Sequence, residues 1–189
     1  MKHGFYLVLL LVLWSGVALA QSHAIDKGAR IISGTASFSS YGGKLYKDNG
    51  DRATFLQIEP SYFQFIVPNV TLGGTASFQR QSESNFSKST LSLGPAVGYF
   101  IGDANSKNYA YFSVGIRYQS QNQGYGSSDY TLSGKDIVLS FGLLAPIKKH
   151  IGLTAEISYH TISMKNDSWD DSESGDMFMI GFGIAGLLF

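Results

Sequence analysis

Glu156, Ser158 and His160 stand at alternate positions of one short stretch. In an extended chain they share a face. An imidazole can activate a hydroxyl while a carboxylate orients it, so these three types invite a hydrolase reading. Neighbours two apart lie about 7 Å from one another along a strand, which predicts no direct Ser–His hydrogen bond. Arg117 is a second candidate, because Glu59 or Glu156 is its expected ion-pair partner. Such a pair, if buried, needs good hydrogen bonding to offset desolvation. Together Gln57, Glu59, Arg117, Gln119, Glu156 and His160 form the expected polar network. The segment 166–176 holds five acids. Such oxygens suit Ca²⁺, which takes about six to eight oxygen ligands, but their spacing matches no EF-hand loop. A solvated acidic loop is expected, with Trp169 as an interface anchor or exposed contact. Tyr41, Tyr46, Tyr125 and Tyr130, in other polar segments, offer contact area at low entropic cost.

The elements that must position these residues are visible as alternation. Gly34-Thr35-Ala36-Ser37-Phe38 recurs as Gly74-Thr75-Ala76-Ser77-Phe78, and Pro60 with Phe65-Ile66 recurs as Pro95 with Phe100-Ile101. A hairpin unit used several times is implied. Eight strands follow, at 30–38, 54–66, 70–80, 90–101, 109–119, 136–146, 151–162 and 177–189. One face of each is apolar, as in Leu56, Ile58 and Tyr62 or Phe112, Val114, Ile116 and Tyr118. The other carries Ser, Thr, Gly and Gln. Leu187-Leu188-Phe189 interrupts the alternation, and Pro60 and Pro95 are poor residues for a central strand of a soluble sheet.

Glu59, Arg117 and Glu156 all fall on the small polar face, and the apolar faces carry no charge across their central spans. A Lys or Arg at a lipid midplane costs roughly 2–4 kcal/mol. The pattern is therefore apolar-out and polar-in, and strands in lipid must close into a ring. Short turns near Pro68-Asn69, Asp103-Ala104-Asn105 and Lys148-Lys149 alternate with long polar connections at 39–53, 80–90, 120–135 and 163–176. Outer-membrane barrels have short periplasmic turns and longer outside loops, which places both termini in the periplasm. Phe38, Phe78, Tyr118 and Tyr159 close the four outgoing strands as an expected aromatic girdle.

Residues 1–20 read as a cleaved secretory signal: Lys2 and His3, an apolar run from Phe5 to Trp14, then Ala18-Leu19-Ala20. Taking away these 20 residues, which hold Lys2 as their one Lys or Arg, leaves 169 of 189 with 13 basic and 14 acidic side chains. Residues 21–189 are expected to form one domain. No basic surplus argues for nucleic acid, and the absence of cysteine means an exported fold held without disulfides. No later run approaches the roughly 20 apolar residues of a membrane helix.

In strand count, turn asymmetry and terminal Phe189, the chain resembles the small eight-stranded outer-membrane barrels, the outer membrane protein beta-barrel domain group of the OmpX and OmpA-transmembrane type. The hairpin from Pro60 to Phe78 and its relative from Pro95 to Tyr118 carry the resemblance. It implies an all-β, antiparallel, up-and-down barrel in the outer membrane of a Gram-negative bacterium. It also implies assembly by the barrel-insertion machinery and periplasmic chaperones, with Phe189 as the assembly signal. A ring of eight strands is just wide enough for side chains to fill, so a polar plug is expected ahead of an ion path. Contact with membrane lipids and lipopolysaccharide, a monomeric state, and no cofactor or metal complete the reading. The expected role is structural or surface-interactive. Some barrels of this size modify lipid A, which makes such an enzyme the alternative. A secreted soluble barrel with its aliphatic face around an apolar ligand is the second.

Overall fold

The computed structural model describes residues 25–43, 53–83, 86–103, 106–125, 128–166 and 172–189. Its strands are β1 (Arg30–Gly43), β2 (Ala53–Val67), β3 (Val70–Glu83), β4 (Phe86–Ile101), β5 (Tyr109–Tyr125), β6 (Ser128–Lys148), β7 (Ile151–Asn166) and β8 (Ser172–Leu188). Each pairs antiparallel with its sequence neighbours. β1 pairs with β8 from Arg30↔Leu188 to Gly43↔Gly175, which closes the barrel.

Alternation fixes which face turns outward. Leu56 is 73% exposed, Phe182 67% and Leu93 64%, whereas Arg117, Asp136 and His160 are buried inside. Exposed apolar area of this extent is foreign to a water-soluble monomer. The soluble carrier, which needs the aliphatic face inside, is overturned by this orientation.

The strands run well past the expected ends. Most of 80–90 and 120–135, and the flanks of 163–176, are ladder and not loop, as Arg80↔Ser89, Gln121↔Leu132 and Lys165↔Ser172 show. A membrane strand needs only about 9–11 residues, and β6 has 21. Beyond the apolar band the outward face of each strand turns polar while the inward face still holds residues such as Met164. The period-two signal fades there although the hydrogen bonds continue.

Pro60 and Pro95 occupy equivalent places. Each faces the glycine that opens a repeated pentapeptide, as Gly34↔Pro60 and Gly74↔Pro95. On the opposite side the ladder lapses without a register shift, between Ile58↔Phe78 and Ser61↔Thr75, and again between Leu93↔Tyr118 and Ala96↔Gly115. A proline has no N–H to donate, so the gap falls where the donor is missing. At the second gap the strands crowd: a Cβ on Gly94 would lie 2.0 Å from the Ile116 carbonyl oxygen.

The end where β1 begins and β8 finishes is apolar inside. Ile25, Ala29, Ile31, Phe65, Phe100, Leu144, Ala185 and Leu187 are buried together, with Phe63, Tyr111 and Phe189 against them. Asn69, at φ 70°, ties this end up. Its N–H donates to the Ile25 carbonyl (3.1 Å), and its side-chain amide donates to the carbonyls of Phe100 (2.7 Å) and Gly102 (3.0 Å). The register of the last residues is regular: Leu187 is 1% exposed and Leu188 46%. The alternation looked broken because an inward position here is filled by leucine. At the opposite end Ile162, Met164, Met177 and Met179 form a second buried apolar cluster with Leu132.

Candidate functional site

Between these clusters the lumen is ionic. Arg117 on β5 and Asp136 on β6 are direct cross-strand partners. Arg117 Nε donates to Asp136 Oδ2 at 3.0 Å and Nη2 to the same oxygen at 2.6 Å. Nη1 reaches across the lumen to Glu59 Oε2 on β2 at 2.7 Å. Gln57 Nε2 donates to that same Glu59 oxygen at 3.1 Å. Charge-assisted bonds of this kind are the strong ones, and Arg117, at 1% exposure, is the largest fully buried side chain of the described residues.

His160 joins the group through Nδ1, which is 3.1 Å from Asp136 Oδ2 and 2.9 Å from Arg117 Nη2. Ser158 Oγ lies 3.0 Å from His160 Nε2. The predicted lack of a Ser–His hydrogen bond is therefore corrected. The Cα positions are separated by two strand rises, but side chains lean along the strand and close the distance. An acyl-transfer triad needs Nδ1–H on Asp136 so that Nε2 accepts the Ser158 hydroxyl, but Arg117 Nη2, which can only donate, lies 2.9 Å from the same Nδ1.

Glu156 forms a separate group. Tyr111 donates its phenol O–H to Glu156 Oε2 at 2.8 Å, and Ser140 donates to Oε1 at 3.3 Å. Gly142, between them in the sheet, makes this possible: a Cβ there would lie 2.4 Å from the Tyr111 ring. Of the two expected alternatives Arg117 pairs with Glu59 and not Glu156, and it gains Asp136 as well, which lies directly opposite it. Gln119 is buried, with its Oε1 lacking a partner. The structure thus gathers Gln57, Glu59, Arg117 and His160 and leaves Glu156 apart from them.

Asp136 and Tyr111 were missed as site residues. Asp136 has the same parity as Ser140 and Gly142, and Tyr111 the same as Ser113 and Arg117, so face alternation alone could have found both.

Below the ionic layer lies a cavity of about 50 Å³. Glu59, Glu156, Tyr111 and Ser140 border it, as do Thr71 and Thr154, while Phe63, Phe100 and Leu144 line its apolar side. Ser158 and His160 are not among its walls.

Phe78, Tyr118 and Tyr159 point outward, at 51%, 61% and 46% exposure. The side chain of Phe38 lies outside the described residues, as do those of Tyr41, Tyr46, Tyr125, Tyr130 and Trp169 and most of the acidic segment. Phe189 packs on His150, ring centroids 5.4 Å apart, next to the His150 Nδ1–Leu187 carbonyl contact of 2.8 Å.

The family model for the outer membrane protein beta-barrel domain matches residues 7–185. The chain belongs to that family. Solved barrels share the fold at low identity. Neisserial surface protein A is 13% identical at a TM-score of 0.69, covering 85% of this chain and 99% of that one. OprG of Pseudomonas aeruginosa is 14% identical at 0.60, covering 86% and 97%. Ail, the attachment invasion locus protein of Yersinia pestis, is 18% identical at 0.51, covering 84% and 99%. No curated protein matches the chain significantly. As an outer-membrane barrel, the family member has its apolar outer face explained by lipid and its ionic lumen by shelter from it.

Proposed function

We propose that this chain is an integral outer-membrane protein with a closed lumen, structural or surface-interactive in role, and not an enzyme. The observation that carries the reading is Arg117, which spans the lumen from Asp136 to Glu59 between two buried apolar clusters. The termini lie in the periplasm, and the strand ends beyond Gln119 and Gly134 stand outside the membrane. That hairpin is polar, with Thr131 bonded to Asn122 at 3.0 Å, and it offers a surface for partners along with the outer connections. Phe78, Tyr118 and Tyr159 serve in the aromatic girdle, and Phe189 serves assembly by the insertion machinery after delivery by periplasmic chaperones. The barrel contacts lipopolysaccharide and works as a monomer.

Ser158, His160 and Asp136 act here as packing and hydrogen-bonding partners. Asp136 is shared with Arg117, so an imidazolium at His160 would face a guanidinium. The cavity beside Glu156 does not reach Ser158, whose side chain is buried at 6% exposure. Two measurements test the proposal. The folded protein in planar bilayers should show no stepwise conductance, and steady channels would overturn the closed lumen. Lipid A mass spectra should be the same with and without the gene, and a changed acyl pattern would restore the enzyme.

A further inference from the structure

The apolar stripe on the outside of β6 ends at Ile137, which is 47% exposed. Past it, toward the end of the barrel that holds the methionine cluster, the outward positions are Lys135 and Ser133. On β7 they are Ser163 and Lys165. Their sequence neighbours settle the direction. Leu132, Ile162 and Met164 pack together inside, so the residues alternating with them face out. Lys135, Ser163 and Lys165 are exposed, and Ser133 is half-buried. The ladder makes these four a rectangle, since Lys135 pairs with Ser163 and Ser133 with Lys165. Diagonal neighbours across such a pair stand about 7–8 Å apart. Both ammonium groups therefore reach a point between them, with a serine on either side. Gly134, behind the rectangle, brings the strands close: a Cβ there would lie 2.1 Å from the Ser163 carbonyl oxygen.

We propose that this rectangle binds a phosphate of an outer-leaflet glycolipid, the lipid A portion of lipopolysaccharide. The proposal rests on the orientation given above, which puts this rim outside. Ammonium groups and hydroxyls all donate to phosphate oxygens, and hydrogen bonds between ions are the strong kind. Position selects a lipid over a soluble anion. Tyr118 is the β5 partner of Lys135 and is 61% exposed, and Ile137 lies one outward step below. An occupant of the rectangle thus also lies along the lipid-facing surface. A molecule with a phosphate at its head and acyl chains beneath meets both parts. The outward positions bordering the four include Ser120 on β5 and Ser172, Ser174 and Asp176 on β8. Asp176, the one acid among these, stands opposite Thr161, one outward step below the rectangle.

The test uses the folded protein in detergent and two probes, lipid A bearing its phosphates and lipid A stripped of them. Native mass spectrometry should show the phosphorylated form bound about tenfold more tightly, because each basic side chain near a membrane surface adds to the attraction for anionic lipid. Lys135→Ser with Lys165→Ser, both at exposed positions, should fold and lose that preference. Lys148→Ser with Lys149→Ser, at the opposite rim, should keep it. If the first pair fails to fold, Lys135→Ser alone should weaken the preference. Equal binding of the two lipids by wild type, a preference that survives loss of Lys135 and Lys165, or equal loss in both double variants would overturn the site. Orientation is read separately. Thr131→Cys, in a chain with no other cysteine, should react with a membrane-impermeant maleimide in intact cells. Labelling without a phosphate preference would reject the lipid site and leave the orientation standing. Labelling only after permeabilisation would reject the orientation, and the outer-leaflet occupant with it.

Discussion

Arg117 concentrates the electrostatics of the interior in one side chain. Removing it by Arg117→Ala strands Glu59 and Asp136 in a buried site, and breaking such a pair costs about 3–5 kcal/mol. Equilibrium unfolding in urea should register that loss, and a change below 1 kcal/mol would mean the acids are well solvated. Ser158 makes the opposite kind of claim. A fluorophosphonate serine probe should leave the folded protein unlabelled, and Ser158→Ala should leave lipid A unchanged. Labelling at Ser158 would show an accessible, activated hydroxyl. Gly142 gives a third test at this scale. Gly142→Ala puts a methyl where the Tyr111 ring passes, so the Tyr111–Glu156 bond should break, seen as altered tyrosine fluorescence together with lower stability.

At the scale of elements, Asn69 joins the turn after β2 to Ile25, ahead of β1, and to the end of β4. Asn69→Gly keeps the left-handed backbone but removes two side-chain bonds, each contributing about 0.5–1.5 kcal/mol. Hydrogen exchange should rise at the Phe100 and Gly28 amides while the middle of β7 stays protected. Unchanged exchange would show that the apolar cluster alone holds this end. The elements were also where the sequence was most legible. Between Leu56 and Tyr62, or Phe112 and Tyr118, one face met lipid and the other the lumen, so residue type reported orientation directly. Past Gln119 or Arg80 that contrast disappears, and the continuing ladder leaves no trace in polarity. The candidate site was half legible for a related reason. Parity put Arg117, Glu59 and His160 on one face, but partner choice depends on inter-strand register. Register set Asp136 against Arg117 and left Glu156 to Tyr111 and Ser140.

The whole molecule is inside-out relative to a soluble protein, and that orientation has a cost that can be measured. Ile157→Lys, on the lipid-facing side of β7, should destabilise the barrel by roughly 2–4 kcal/mol, read from unfolding in bilayers. Equal stability would place that face in water. The seam between β1 and β8 bears on how such a molecule comes to exist. Arg30 meets Leu188, so the closing contacts join residues far apart in the chain. Seven of the eight ladders connect sequence neighbours and carry low loop-closure entropy. The eighth carries almost the maximum the chain allows. That seam is the one ladder of high contact order, and a partner that holds β1 and β8 near each other would lower its closure cost more than that of any other ladder.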